Sequence, residues 1–339
     1  MSDTAEHSDI RRVLLEKYLQ EKRLHLAGDT SIVPECNQET ENVGSRARLT
    51  TIQIGSSKRP FFFLHGHPSG TAFYCYPLAA SLGSDQPFYA LEPYSFDGLQ
   101  IPPKIEDIAA AHVKEMRIVQ PEGPYLLGGF CNGALVAYEM ARQLDVEGQP
   151  VDLLVLMDPM ALRHTLPIYL RLLRWLTNHL GDRHKQLDWF VQLRHMVRES
   201  YNYLRSLVPW GWGNAEDLGT DGAVEPVERP KIGRFALPRI DSIIPTHEAI
   251  HKDYDAIVEW LVLDYRPTSV YPSKITFFWA KEATWHIRWW NQVAKAVEVE
   301  EYFIPGTQIT WKTRYIRDLS ACLQECFSRM RNTAASHEE

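Results

Sequence analysis

Cysteine is scarce in this 339-residue chain: Cys36, Cys75, Cys131, Cys322 and Cys326 make an odd number with no C-x-x-C pair. That argues against a disulfide framework and a zinc site, and it points to a reducing, cytoplasmic setting. Long apolar runs are missing too. No stretch approaches the roughly 18 apolar residues that span a bilayer, so no membrane is expected as a partner. Residues 1–16 lack the basic-then-apolar order of a signal peptide. Positive charge is not in excess. The 36 Lys and Arg stand against 43 Asp and Glu, a formal net charge of −7, which argues against nucleic acid as a general partner. Metal and nucleotide motifs are absent, so no metal and no directly bound cofactor is expected.

What is present is the make-up of a globular enzyme, 45% hydrophobic and 23% charged. The length suits one large α/β domain carrying an insertion. Residues 1–45 read as a short amphipathic helix (8–21) followed by a polar linker. From residue 46 the pattern alternates. Apolar runs at 49–54, 61–65, 87–91, 125–130, 153–157, 275–279 and 297–304 read as strands. Helical patterns at 72–82, 105–119, 134–144, 285–296 and 315–330 lie between or after them. Such alternation means a mostly parallel central sheet flanked by helices on both faces. The core therefore reads as two parts, 46–160 and 246–339. Between them, 161–245 is helical and aromatic, then rich in glycine and proline, and reads as a lid over the site. Residues 160–207 carry eight basic and three acidic side chains in an acidic chain. That excess is either a solvated helix face or a docking surface for an acidic partner.

One segment carries chemistry. Gly129-Phe130-Cys131-Asn132-Gly133 follows an apolar strand and precedes a helix, which is the context of a nucleophile elbow, G-x-[S/C]-x-G. A sharp strand-to-helix turn forces the nucleophile into a strained backbone, and the residues two before and two after must be small. The helix that follows points its N-terminus at the site, where negative charge is favoured. Cys131 is the expected nucleophile of an α/β-hydrolase fold. A second segment, Phe61 to Gly70, is a buried strand running into a Gly/Pro turn, the place for an oxyanion loop. Asn132 is expected to supply one backbone N–H. Pro68 has none, so Ser69 is the expected second donor. His65 and His67 read as turn or core residues.

The run from Pro124 to Arg142, PYLLGGFCNGALVAYEMAR, resembles the thioesterase domains of nonribosomal peptide and polyketide synthases, as does the segment from His67 to Ala79. The resemblance covers roughly 60–329 and is weakest in the lid. It implies an acyl chain delivered as a thioester on the phosphopantetheine arm of an acyl or peptidyl carrier protein. It also implies an acid after the strand that ends at Met157, and Asp158 fills that place. Glu282, after the strand 275–279, is the second candidate acid.

The chain departs from that family twice. Cysteine stands at the elbow in place of serine. At the later strand end the family pattern is similar to P-G-x-H-x-T, whereas this chain reads Pro305-Gly306-Thr307-Gln308-Ile309-Thr310. Gln308 thus occupies the place of the catalytic histidine, and an amide cannot act as a general base. Three readings stay open: chemistry that needs no histidine, an inactivating substitution, or another histidine in its stead, with His247, His251 and His286 as candidates. Thiol-for-thiol exchange needs little base assistance, because a free thiol of pKa ~8.5 is already partly ionised. Water needs a base or a metal. The expected activity is therefore acyl or aminoacyl transfer through Cys131. Chain release by hydrolysis or cyclisation, and a non-catalytic carrier-binding module, are the alternatives.

Overall fold

The computed structural model describes residues 46–55, 58–66, 72–99, 101–160, 166–207, 252–267, 269–281, 287, 290, 293–294 and 297–337. The N-terminal helix and linker, the Gly/Pro-rich part of the insertion and most of the 285–296 helix lie outside them.

Seven strands form one sheet: β1 (Leu49–Gln53), β2 (Phe61–Leu64), β3 (Phe88–Leu91), β4 (Tyr125–Phe130), β5 (Val151–Met157), β6 (Ile275–Ala280) and β7 (Val299–Ile304). Their order is β1-β3-β2-β4-β5-β6-β7. Only β1 runs antiparallel, against β3. The other pairings are parallel. Strands β2 and β4 are buried along their whole length, as strands covered on both faces must be. The side chains of β2 divide by the period of two. Phe61 and Phe63 enter one apolar cluster with α1 (Cys75–Ser81) and α8 (Ile316–His337). Phe62 and Leu64 enter the other with α2 (Ile105–Val119) and α3 (Asn132–Val146).

The strand and helix order follows the sequence reading, and the differences are local. β5 begins at Val151, earlier than the apolar run suggests, because Val151 pairs with Tyr125 at the start of β4. α3 begins at Asn132 rather than at residue 134, because the elbow turn itself is the helix N-cap.

Within the insertion, α4 (Ile168–Thr177) and α5 (Arg183–Leu207) are followed, beyond it, by α6 (Tyr254–Asp264). The basic excess on α4 and α5 is partly turned inward. Arg174 is buried, donates to Asp264 (2.6 Å) and lies 4.6 Å from the Trp260 ring centre. Arg194 is buried too, held by Glu259 and by Asp253 (3.3 Å). Burial works against the Arg194 charge, yet the two carboxylates raise its pKa above the ordinary guanidinium value. These two arginines tie α4 and α5 to α6. They form neither a solvated face nor a docking surface.

Candidate active site

In a doubly covered parallel sheet, chemistry gathers where the strands end and loops are free to vary. Cys131 follows the last residue of β4, Asp158 the last of β5, and Gln308 lies just beyond β7 as the first residue of α7 (Gln308–Trp311). All three therefore stand at the carboxyl edge of the sheet.

Cys131 has φ 55° and ψ −120°, a backbone that costs energy in any residue but glycine. The fold holds it there from both sides. Its N–H donates to the Met157 carbonyl (3.0 Å), and its own carbonyl accepts from Met160 (3.0 Å) and Ala134 (3.1 Å). The first two bonds stitch the elbow to the loop that carries Asp158. Asp158 is itself at φ 42°, is buried, and donates its N–H to the Phe278 carbonyl of β6 (2.7 Å). Two left-handed residues thus stand side by side at the ends of adjacent strands.

The small residues around the elbow have steric causes. A Cβ on Gly129 would lie 2.5 Å from the Gly133 carbonyl oxygen, and one on Gly133 would lie 2.5 Å from that of Leu64. Gly66, at the end of β2, has φ 63°, and a Cβ there would collide with the Phe130 carbonyl oxygen and come within 2.8 Å of Asn132 Oδ1. Gly66 therefore lies directly against the elbow. Gly66→Ala is expected to destabilise the protein by roughly 2–4 kcal/mol, adding a positive-φ penalty to a backbone clash. A urea midpoint unchanged in this variant would contradict the close approach.

Of the expected site residues, the structure brings Cys131, Asn132, Asp158 and Gln308 to one edge. Ser69, Glu282, His247, His251 and His286 lie outside the described residues, as does His67. His65 is buried, and its Nε2 lies 2.6 Å from Glu92 Oε2. Burial pushes the Glu92 carboxyl up, but the His65 bond and charge together with Thr50 bring it below its ordinary value. Gln308 is half-buried. Its helix is set by Thr307, whose N–H donates to Thr310 Oγ1 (2.9 Å), and by Gly306 at φ 81°.

The cysteines differ sharply. Burial pushes the Cys75 thiol well up, aided by Glu92 and opposed by Lys312. Burial also raises Cys322, and it takes Cys326 to about 12. Cys75 opens α1 but is wholly buried, whereas Cys131 sits half-buried at the N-cap of α3.

Sequence reasoning missed the neighbours of this turn. Tyr74 is buried and donates to the His65 carbonyl. Its phenol is raised by burial and then by negative charge on Cys75 and Cys131. Tyr254, at the start of α6, is raised by burial, Asp255 and Cys131. Lys312 Nζ lies 4.3 Å from the ring centre of Phe130, the residue before Cys131. No motif marks these three; only the sheet order brings them to Cys131.

Residues 60–206 match the family model described as Thioesterase domain. Over that stretch the chain resembles a thioesterase domain. Its relatives are synthases of peptides and polyketides. The domain is 37% identical over 122 residues to a dimodular nonribosomal peptide synthase of Bacillus subtilis (strain 168), covering 35% of this chain and 5% of that protein. It is 31% identical over 153 residues to a non-reducing polyketide synthase of Pseudevernia furfuracea, covering 44% of this chain and 7% of that one. The chain thus spans a small fraction of the length of the curated relatives it matches. Among solved structures, the Vlm2 thioesterase domain bound with a dodecadepsipeptide resembles it with a TM-score of 0.50 at 14% identity, over 82% of this chain and 98% of that one. That likeness is one of fold. Among the described residues, no group of three or more His, Cys, Asp or Glu side chains could hold a metal ion. Nor is any described helix long and apolar enough to cross a membrane.

Beside the elbow lies a cavity of about 20 Å³, whose lining includes Gly66, Asn132 and Gly133 together with His112, Tyr94 and Tyr254. His112 is buried, and burial lowers its pKa to about 4. An unfolded chain takes up a proton near 6.5 that the folded protein refuses until about 4. The stabilisation is complete above pH 6.5 and is lost as pH falls from 6.5 to 4, by about 3 kcal/mol in all. His112→Phe should flatten the stability profile across that window, as followed by urea unfolding. An identical acid slope in the variant would exclude the assignment.

Proposed function

We propose that this chain moves acyl or aminoacyl groups between carrier-protein thiols through a thioester on Cys131. The observation that carries the reading is a cysteine in left-handed backbone at a helix N-terminus, in a domain whose usual base position holds Gln308. In the forward step the Cys131 sulfur attacks the carrier thioester carbonyl. A C–Sγ bond forms, the bond to the phosphopantetheine sulfur breaks, and the departing thiolate takes up the proton that Cys131 gave up. The acceptor thiol reverses these events. Each step exchanges one thioester for another, so it is nearly thermoneutral and reversible. A serine ester would lie lower in energy and return its acyl group to a thiol less readily.

We assign the remaining roles as follows. The N–H groups of Asn132 and Ser69 serve as donors to the oxyanion, and the dipole of α3 adds to them. Gln308 can donate an amide hydrogen to the Asp158 carboxylate, which orients both, but it cannot accept a proton. Residues 161–245 act as the lid over the carboxyl edge, and the carrier protein delivers the arm beneath it.

Intact-mass spectrometry after mixing with acyl-loaded carrier tests the reading. The expected result is a mass increase equal to the acyl group on the wild type and none on Cys131→Ala. An adduct surviving in Cys131→Ala, or catalytic appearance of free acid or ring without transfer, would replace transfer by another site or by chain release. Saturable binding with no covalent adduct would leave a carrier-binding module.

A further inference from the structure

The cavity beside the elbow contains a polar group that the proposed chemistry does not use. Ile105, Ile108 and His112 lie on one face of α2, at helical spacing, and all three line the cavity. The imidazole of His112 is 1% exposed. Its Nδ1 has no hydrogen-bond partner among the described residues. Tyr94 meets it only through ring contact, edge to face with centres 6.5 Å apart. A buried polar atom is ordinarily paired, because leaving it unpaired costs the full loss of its hydration. An unpaired one on a side chain that lines an apolar cavity therefore marks that side chain as a partner for a ligand atom.

The chemistry of that atom is constrained. The volume, about 20 Å³, is enough for a small polar group. No carboxylate, lysine or arginine lines the cavity among the described residues, so an ammonium or carboxylate buried there would lack a counter-charge. A neutral imidazole offers one donor and one acceptor. A hydroxyl matches both the size and the pairing. Asn132 and Gly133, the two residues after Cys131, line the same cavity, so a hydroxyl held there belongs on a carbon close to the reacting carbonyl.

We propose that His112 and this cavity form a subsite for a hydroxyl group near the carbonyl of the acyl chain, so that the preferred substrates are hydroxyacyl thioesters. The proposal rests on the acyl-transfer reading for its substrate, though not on the reactivity of Cys131. The test therefore uses unreactive amide analogues of pantetheine bearing butanoyl, 2-hydroxybutanoyl or 3-hydroxybutanoyl groups, with affinities measured by calorimetry on the full chain. The wild type is expected to bind one hydroxylated analogue about tenfold more tightly than the butanoyl analogue. His112→Phe should bring that ratio close to one while leaving butanoyl affinity unchanged, and His112→Gln should restore part of it. In the wild type, binding should shift the His112 imidazole nitrogen resonances only with the hydroxylated ligand, a readout that does not require the variants to fold. Equal affinities for all three analogues in the wild type would overturn the proposal and assign the cavity to a water molecule. A ratio unchanged in His112→Phe would overturn it as well. Failure of the acyl-transfer reading shows separately, as absence of a Cys131 adduct with the corresponding thioesters.

Discussion

Gln308→His is expected to raise the release of free acid from acyl-loaded carrier by roughly 10²- to 10⁴-fold, the range that a positioned general base contributes. The wild-type chain lacks a proton acceptor at this position, so water, unlike a thiol, has nothing at position 308 to activate it. The position is ready to receive one. Gln308 opens a helix fixed by the Thr307–Thr310 hydrogen bonds and by the left-handed Gly306, and it shares the carboxyl edge with Cys131 and Asp158. Substituting one planar side chain for another leaves that backbone in place. Chromatographic measurement of free acid against time decides the matter. A change smaller than twofold would mean that position 308 does not face the acyl group, and that the base, if any, comes from elsewhere.

The second large effect concerns the sulfur. Cys131→Ser should slow transfer between carriers on the order of 10³-fold, since a hydroxyl is barely ionised at neutral pH and needs an adjacent base to attack. Any ester that forms should persist, because returning the acyl group from oxygen to a thiol is uphill. The double variant Cys131→Ser with Gln308→His should then recover hydrolysis well beyond the sum of the single changes, as residues acting as a unit do. Adducts on wild type should map to Cys131 alone among the described cysteines. Cys75 is wholly buried, and burial raises the thiol pKa of Cys75, Cys322 and Cys326. Unimpaired transfer by Cys131→Ser would remove thiol exchange from the account.

Much of the framework was legible before any coordinates. Strand–helix alternation indicated a parallel sheet, and the fully apolar Phe61–Leu64 run indicated a strand covered on both faces. The glycines two before and two after Cys131 marked the elbow, because the steric demand of that turn lies within five residues. The arginines of α4 and α5 were less legible. Composition counts charge but carries no information on direction, and Asp253, Glu259 and Asp264, which pair with them, lie far along the chain. His65 read as a turn or core residue, and its bond to Glu92 accounts for it, though no spacing links the two.

The sequence alone determined the fold class, the family resemblance, the sulfur at the elbow and the amide at position 308, since each depends on residues within a turn or two of one another. Only the tertiary structure decided that Tyr74 and Tyr254 feel the charge of Cys131, that Lys312 lies over the Phe130 ring, and that His112 is buried beside a cavity that Asn132 also lines. Those relations come from the order of strands in the sheet and the packing of helices on its faces. A linear pattern records a residue's own periodicity and nothing of which distant side chain will face it.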